Sequence, residues 1–129
     1  MIELLLAVFV LEIGLLGVAG FYFYSLQITK TARNETIASN LAAGFLDEEL
    51  AQNFDNLVVG PPGNPTDLES PFNNFQKQID IAYIDSATLT PSYTQTEANQ
   101  YMKKITVTVF WPYETGERSF QIATIKAKH

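Results

Sequence analysis

The sequence predicts an α+β protein in which one long N-terminal helix packs on an antiparallel sheet of three or four strands. Three observations favour this fold. An apolar run opens the chain, an amphipathic helical pattern follows it without an intervening proline, and alternating strand-like segments occupy the last third. The predicted divisions are an apolar helix half over 1–28, an amphipathic half over 29–57, a connecting loop over 58–78 and a sheet over 79–129.

The apolar run is the first element. From Leu4 to Gln27 its only charged side chain is Glu12. A helix needs about 20 apolar residues to cross a bilayer, so the run is long enough. A cleaved signal peptide is one alternative, but no Lys or Arg precedes the run and its apolar core exceeds about 15 residues. A plain membrane anchor is a second alternative, and it fits the length.

Two glutamates distinguish the run from an ordinary anchor. A carboxylate near the middle of a bilayer costs about 3 kcal/mol or more. Glu12 lies well inside the run, so it needs a proton, a partner or surroundings other than lipid. Glu3 lies near the end, where interfacial water can reach it. We interpret both as candidate assembly residues.

Glycines recur at a fixed interval in the same run, at Gly14, Gly17 and Gly20. This spacing places them roughly along one helix face and lets another backbone approach closely. Each glycine also weakens the helix by about 0.5–1 kcal/mol relative to alanine. They are therefore candidates for helix packing or for local melting. The aromatic cluster Phe21–Tyr24 is typical of a membrane interface or of helix packing.

The opening Ile-Glu-Leu-Leu-Leu-Ala-Val, followed by Ile-Gly-Leu-Leu-Gly-Val-Ala-Gly, resembles the N-terminal helix of type IV pilins and pseudopilins. The segments at 25–27 (Ser-Leu-Gln) and 40–42 (Asn-Leu-Ala) are most similar to the minor pilins of the PilV kind. The resemblance covers about Ile2 to Leu46, and beyond that it concerns architecture alone.

The resemblance implies a processing and assembly route. A prepilin peptidase removes a short basic leader, the new N-terminus is N-methylated, and the glutamate matching Glu3 neutralises the terminal amine of a neighbouring subunit. In the family this glutamate is the fifth mature residue, whereas here it is the third. We interpret the difference as two residues absent from the start, so Met1 is not assigned as the methylated position. The family's proline is absent too, which leaves any melted stretch to the glycines.

Lys30 and Arg33 flank the end of the apolar run. The positive-inside rule alone places them in the cytoplasm, which conflicts with an extracellular head. A basic leader on the other side of the run would outweigh them.

The amphipathic half continues the helix. Apolar side chains recur about three or four residues apart at Ile37, Leu41, Phe45 or Leu46, Leu50, Phe54 and Leu57. Asp47, Glu48 and Glu49 are consecutive, so their carboxylates point in different directions and do not converge on a cation. Asn34-Glu35-Thr36 matches the N-glycosylation sequon, which makes Asn34 a candidate modification site.

The rest of the chain predicts the sheet. Prolines and glycines between Val59 and Pro65 end the helix. Strands are predicted over 79–84, 101–111 and 117–128, with a hairpin loop over 112–116 and a long polar connection over 85–100. In the second strand Ile105, Val107, Val109 and Trp111 share one face.

Composition excludes several functions. The chain has no cysteine, and its one histidine, His129, is given no chemical role. A net charge of −6 with scattered Lys and Arg argues against nucleic acid as a partner. No nucleophile stands with a base, no phosphate-binding loop occurs, and neither metal nor cofactor is expected. We therefore expect that the chain is not an enzyme.

The leading hypothesis is a structural subunit of an extracellular filament, with a major pilin preferred. Its expected partners are further copies, the inner-membrane assembly machinery and the prepilin peptidase, and it resides in the cytoplasmic membrane before assembly. A minor pilin or pseudopilin that primes assembly is an alternative. A membrane-anchored monomeric binding module is an alternative of a different class.

Overall fold

The computed structural model describes residues 1–128, and His129, to which no role was given, lies outside the described residues. A long helix precedes an antiparallel sheet, so the α+β prediction is confirmed. The elements are helix α1 (Ile2–Ala51), a 3₁₀ turn (Phe54–Asn56), and strands β1 (Thr66–Asp67), β2 (Gln76–Ile84), β3 (Pro91–Ser92), β4 (Met102–Tyr113) and β5 (Gly116–Ala127). The chain divides into an N-terminal unit, Met1–Asn34, and a head that begins at Glu35.

Helix α1 ends earlier than predicted. The amphipathic half was expected to remain helical to Leu57, but the helix ends at Ala51. Asn53 has an extended backbone, with φ of −64° and ψ of 146°, and the 3₁₀ turn follows it. Asparagine is a weak helix former because its side chain competes for backbone hydrogen bonds. The apolar periodicity continues past this break, which is why the pattern alone overestimated the helix.

The sheet has five strands in the order β1-β2-β4-β5, with β3 paired to β2, and every pairing is antiparallel. Three strands match the predicted ones. β2 begins at Gln76, so the loop predicted over 58–78 ends earlier than expected. β1 and β3 have two residues each and lie in segments predicted as loops. A strand of two residues is too short to show an alternation of apolar and polar side chains, so periodicity could not reveal β1 or β3.

The hairpin between β4 and β5 is tighter than predicted. Tyr113 pairs with Gly116, which leaves Glu114 and Thr115 as a two-residue loop in place of the loop expected over 112–116. Gly116 has φ of +140°, a conformation that side chains with a Cβ rarely adopt. This one glycine fixes the register of both long strands.

The core of the head lies between α1 and one face of the sheet. Ile105, Val107, Val109 and Trp111 are all buried, as the alternation of β4 predicted. They form one cluster with three helix residues, Ala38, Ala42 and Leu46, and with Leu57, Phe75 and Ile81. Alanine side chains on the helix permit a close approach to the sheet. Phe120 and Ile122 of β5 pack against the same cluster from the edge.

Candidate assembly surface

The apolar surface of the N-terminal unit is exposed throughout. Every residue from 1 to 30 is exposed, including large side chains such as Leu16 (74%) and Phe21 (73%). Part of α1 reaches a mean hydropathy of 2.5. By length and composition alone, the helix could cross a membrane. A soluble monomer rarely exposes an apolar patch larger than about 600 Å². This surface therefore requires lipid or protein against it.

Glu3 and Glu12 project from this surface on opposite sides. They lie nine residues apart in the continuous helix α1. At about 3.6 residues per turn this spacing is about 2.5 turns, and the axial separation is about 13.5 Å. Glu3 is in the first helical turn, where the helix dipole stabilises a negative charge. One partner lying along one face therefore cannot reach both carboxylates.

Two of the three glycines, Gly14 and Gly17, lie on the side of the helix that carries Glu3. Gly14 and Gly17 follow Glu3 by 11 and 14 residues, which places both within about 40° of it around the helix. A Cβ built on Gly14, Gly17 or Gly20 meets no heavy atom within 4 Å, so each leaves open space. The helix runs unbroken through all three. Their packing role and their local melting both stay predictions.

The other residues singled out in the sequence make only local contacts or lie near the surface. The Tyr22 and Phe23 rings meet edge to face, with centroids 6.3 Å apart. Asn34 is half-buried in α1, and its glycosylation stays a prediction. Glu49 accepts a hydrogen bond from Gln52 Nε2 at 3.2 Å. Within residues 1–128 no three or more His, Cys, Asp or Glu side chains cluster as metal ligands would.

In the head, two lysines from the sheet donate to backbone carbonyls at the end of α1 and in the 3₁₀ turn that follows it. The Lys103 ammonium is buried and donates to the carbonyl oxygens of Phe54, at 2.7 Å, and Leu57, at 2.9 Å. Lys126 Nζ donates to Leu50 O, at 2.6 Å, and to Gln52 O. The last carbonyls of a helix have no partner within it and carry a partial negative charge. Lys126 on β5 thus supplies the positive charge that the last turn of α1 lacks, and Lys103 on β4 binds the 3₁₀ turn beyond it.

Burial is the largest influence on the pKa of the Lys103 ammonium group. Desolvation lowers the pKa of its ammonium group, the Asp55 carboxylate acts in the opposite direction, and the nearby positive charge of Lys128 lowers the pKa further. The Phe54 ring covers the ammonium at 4.4 Å from its centroid. Our sequence reasoning missed this lysine, although it is in phase with Ile105 and Val107 on the core-facing side of β4. A charged residue at an inward-facing position of a strand is the signal that could have revealed it.

An ion pair ties β5 to the first turn of the head's helix. Arg118 Nη1 lies 3.0 Å from Glu35 Oε1, and both side chains are about half exposed. The guanidinium also stacks on Tyr113, 4.0 Å from the ring centroid. Such exposed pairs contribute about 1 kcal/mol or less. The contact orients the sheet edge more than it stabilises the head.

A shallow depression of about 130 Å³ lies on the face of the sheet opposite α1. The Tyr93 hydroxyl donates to Asp80 Oδ2 at 3.2 Å, and Lys104 and Thr106 line the floor. Desolvation, the hydrogen bond to Asp80 and that carboxylate's charge all raise the pKa of Tyr93. Asp80 Oδ1 is buried without a hydrogen-bond partner among the described residues. Ordinary ligand pockets start at about 300 Å³, so this depression is too small for one.

Comparison with known proteins returned no relative. No family model matches the sequence, and no curated protein or solved structure is detectably similar to it. The exposed apolar surface with its two carboxylates is therefore the feature that bears most directly on function.

Proposed function

We propose that this chain is a structural subunit of an extracellular type IV pilus-like filament and polymerises through its N-terminal helix. The single observation that carries the proposal is the fully exposed apolar surface of residues 1–30, which bears two carboxylates on opposite sides. Lipid can cover the apolar side chains, but it offers little stabilisation to an ionised carboxylate. Packed copies of the same helix offer both apolar contact and charged partners.

Glu3 is the residue through which a copy would recognise its neighbour. Its carboxylate accepts the terminal amine of an adjacent subunit, so that each added copy neutralises two charges. Gly14 and Gly17 lie on the same side and leave open space for a second backbone. Together these residues form a surface that favours a parallel neighbour at close distance.

The head supports the same role because it is complete within one chain. Its core residues are buried between α1 and the sheet, and its own lysines donate to backbone carbonyls at and just beyond the end of α1. A head that needs no partner for stability can be displayed on the outside of a polymer.

The route is the one that the resemblance of residues 2–46 to type IV pilins implies. Before assembly the apolar helix resides in the cytoplasmic membrane, where a prepilin peptidase and the inner-membrane assembly machinery act on it. The assembled product lies at the cell surface. We prefer the major subunit; a minor pilin or pseudopilin that primes assembly uses the same contacts at low abundance.

Electron microscopy of sheared surface material tests the proposal. We expect thin filaments that disappear when the gene is deleted and return on complementation. Abundance in the sheared fraction separates a major from a minor subunit. A chain that extracts from membranes only as a monomer, with no filament lost on deletion, would instead be a membrane-anchored binding module.

A further inference from the structure

Glu12 shares a helix face with one cation of the N-terminal unit. Lys30 follows Glu12 by 18 residues in the continuous helix α1. This spacing corresponds to about five full turns, so the two side chains lie on the same face about 27 Å apart along the axis. Glu3 lies on the opposite side, and Arg33 is rotated by about 60° from Glu12.

The two charges cannot meet within one chain. A salt bridge requires about 4 Å between the charged atoms, far less than their axial separation. Both side chains are exposed, and neither has an ion pair within residues 1–128. Between them the same face carries apolar residues such as Ala19 and Phe23. Glu12 is therefore an isolated carboxylate on an apolar strip whose far end is positive.

We propose that Glu12 of one copy pairs with Lys30 of a second copy that is displaced by about 27 Å along the helix axis. This inference rests on the proposed filament and adds the specific contact that sets the stagger between copies. Two parallel helices that turn the same face toward a common axis bring Glu12 and Lys30 to one level only at this displacement. The second copy is the occupant because its charge complements the carboxylate at that position.

The stagger also explains why the contact propagates. Each copy uses its Glu12 toward one neighbour and its Lys30 toward another, so the contact is heterologous. Heterologous contacts that do not close into a ring generate an open helical filament. Because Glu3 lies on the opposite side, the two carboxylates serve different neighbours and do not compete.

Charge reversal in the full-length protein tests the pairing. Glu12→Lys and Lys30→Glu should each abolish filaments in the sheared fraction, because each places two like charges at the contact. The double variant should restore them. Glu12→Lys combined with Arg33→Glu is the matched control and should not restore them, since Arg33 lies off this face.

Cysteine cross-linking measures the stagger with both charges intact. The chain has no cysteine, so introduced pairs report cleanly. Val8→Cys with Leu26→Cys repeats the spacing of 18 residues beside Glu12 and Lys30, and a short thiol cross-linker should give a ladder of covalent oligomers. Val8→Cys with Tyr24→Cys, whose second cysteine lies on nearly the opposite side, should give none.

The outcomes separate this inference from the proposed function. If the wild-type chain forms no filament, the proposed function fails and this contact fails with it. If filaments form but both single reversals assemble normally, or the two cysteine pairs cross-link equally, only the stagger is overturned. Restoration by the double variant together with a ladder from the first cysteine pair supports the contact.

Discussion

Leu16 and Leu46 have the same side chain and lie on the same helix, yet their surroundings differ completely. Leu16 is 74% exposed in the N-terminal unit, whereas Leu46 is 7% exposed in the core of the head. Leu46 belongs to the same buried cluster as Val107, Val109 and Trp111 of the sheet, whereas no other part of the chain buries the apolar segment that contains Leu16. The core residues of the head are covered by their own chain, whereas the apolar residues of the N-terminal unit are not.

Charged groups show the same contrast. Lys103 is buried on an apolar face of the head, and two carbonyl oxygens of its own chain accept hydrogen bonds from its ammonium group. Glu12 is set in an apolar face of the N-terminal unit without a partner among residues 1–128. We therefore expect stability to depend mainly on the head, and the proposed assembly to depend mainly on the N-terminal unit. Substitutions in the two regions should affect different measurements.

The largest effect on stability is expected for Val107→Asp. Val107 is fully buried, and an unpaired carboxylate there costs about 3–5 kcal/mol, which is enough to unfold a small domain. Unfolding of the detergent-solubilised chain in urea can be followed by fluorescence of Trp111, the only tryptophan and a buried one. Thr108→Asp, on the other face of β4, is the control and should keep a cooperative transition. Equal loss in both variants would contradict the assigned faces.

A matched pair of leucines compares the two regions directly. Leu46→Ala should destabilise the head by about 2–5 kcal/mol because it opens a cavity in the core. Leu16→Ala should leave the same urea transition of Trp111 unchanged. Destabilisation of the head by both substitutions would break the comparison, since it would mean that the apolar surface of the N-terminal unit supports the head.

A smaller effect is expected for Lys103→Met. The substitution preserves the length of the side chain but leaves the carbonyl oxygens of Phe54 and Leu57 without their donor, at a cost of about 1–3 kcal/mol. Lys104→Met, on the opposite face of the same strand, is the control and should change the unfolding free energy by less than about 0.5 kcal/mol. Identical urea midpoints for the two variants would show that Lys103 does not stabilise the 3₁₀ turn after α1.

Sequence periodicity predicted the parts of the fold that have a period. The inward face of β4, the apolar run and the amphipathic part of α1 all follow spacings that a single segment reveals. The end of α1 at Ala51 follows no such spacing, because the carbonyls on either side of Asn53 accept hydrogen bonds from Lys126 and Lys103 on distant strands. The short strands β1 and β3 also depend on pairing with β2, which lies elsewhere in the sequence.

The candidate surface was predictable to a similar extent. Glu3, Glu12 and the glycines stand out because charge and small residues interrupt an otherwise uniform apolar run. That Glu3 and Glu12 lie on opposite sides of the helix follows only when the helix is continuous, as α1 is. What covers the surface depends on other molecules, and no pattern within one chain specifies it.

The most direct test of the central claim is the yield of filaments from cells that carry Glu3→Ala in the full-length chain. Glu48→Ala, an exposed glutamate of the head's helix, is the matched control. We expect Glu3→Ala to remove filaments from the sheared fraction while the urea transition of Trp111 stays at the wild-type midpoint, and we expect Glu48→Ala to assemble normally. A wild-type yield of filaments from Glu3→Ala would contradict the claim that this carboxylate joins neighbouring copies.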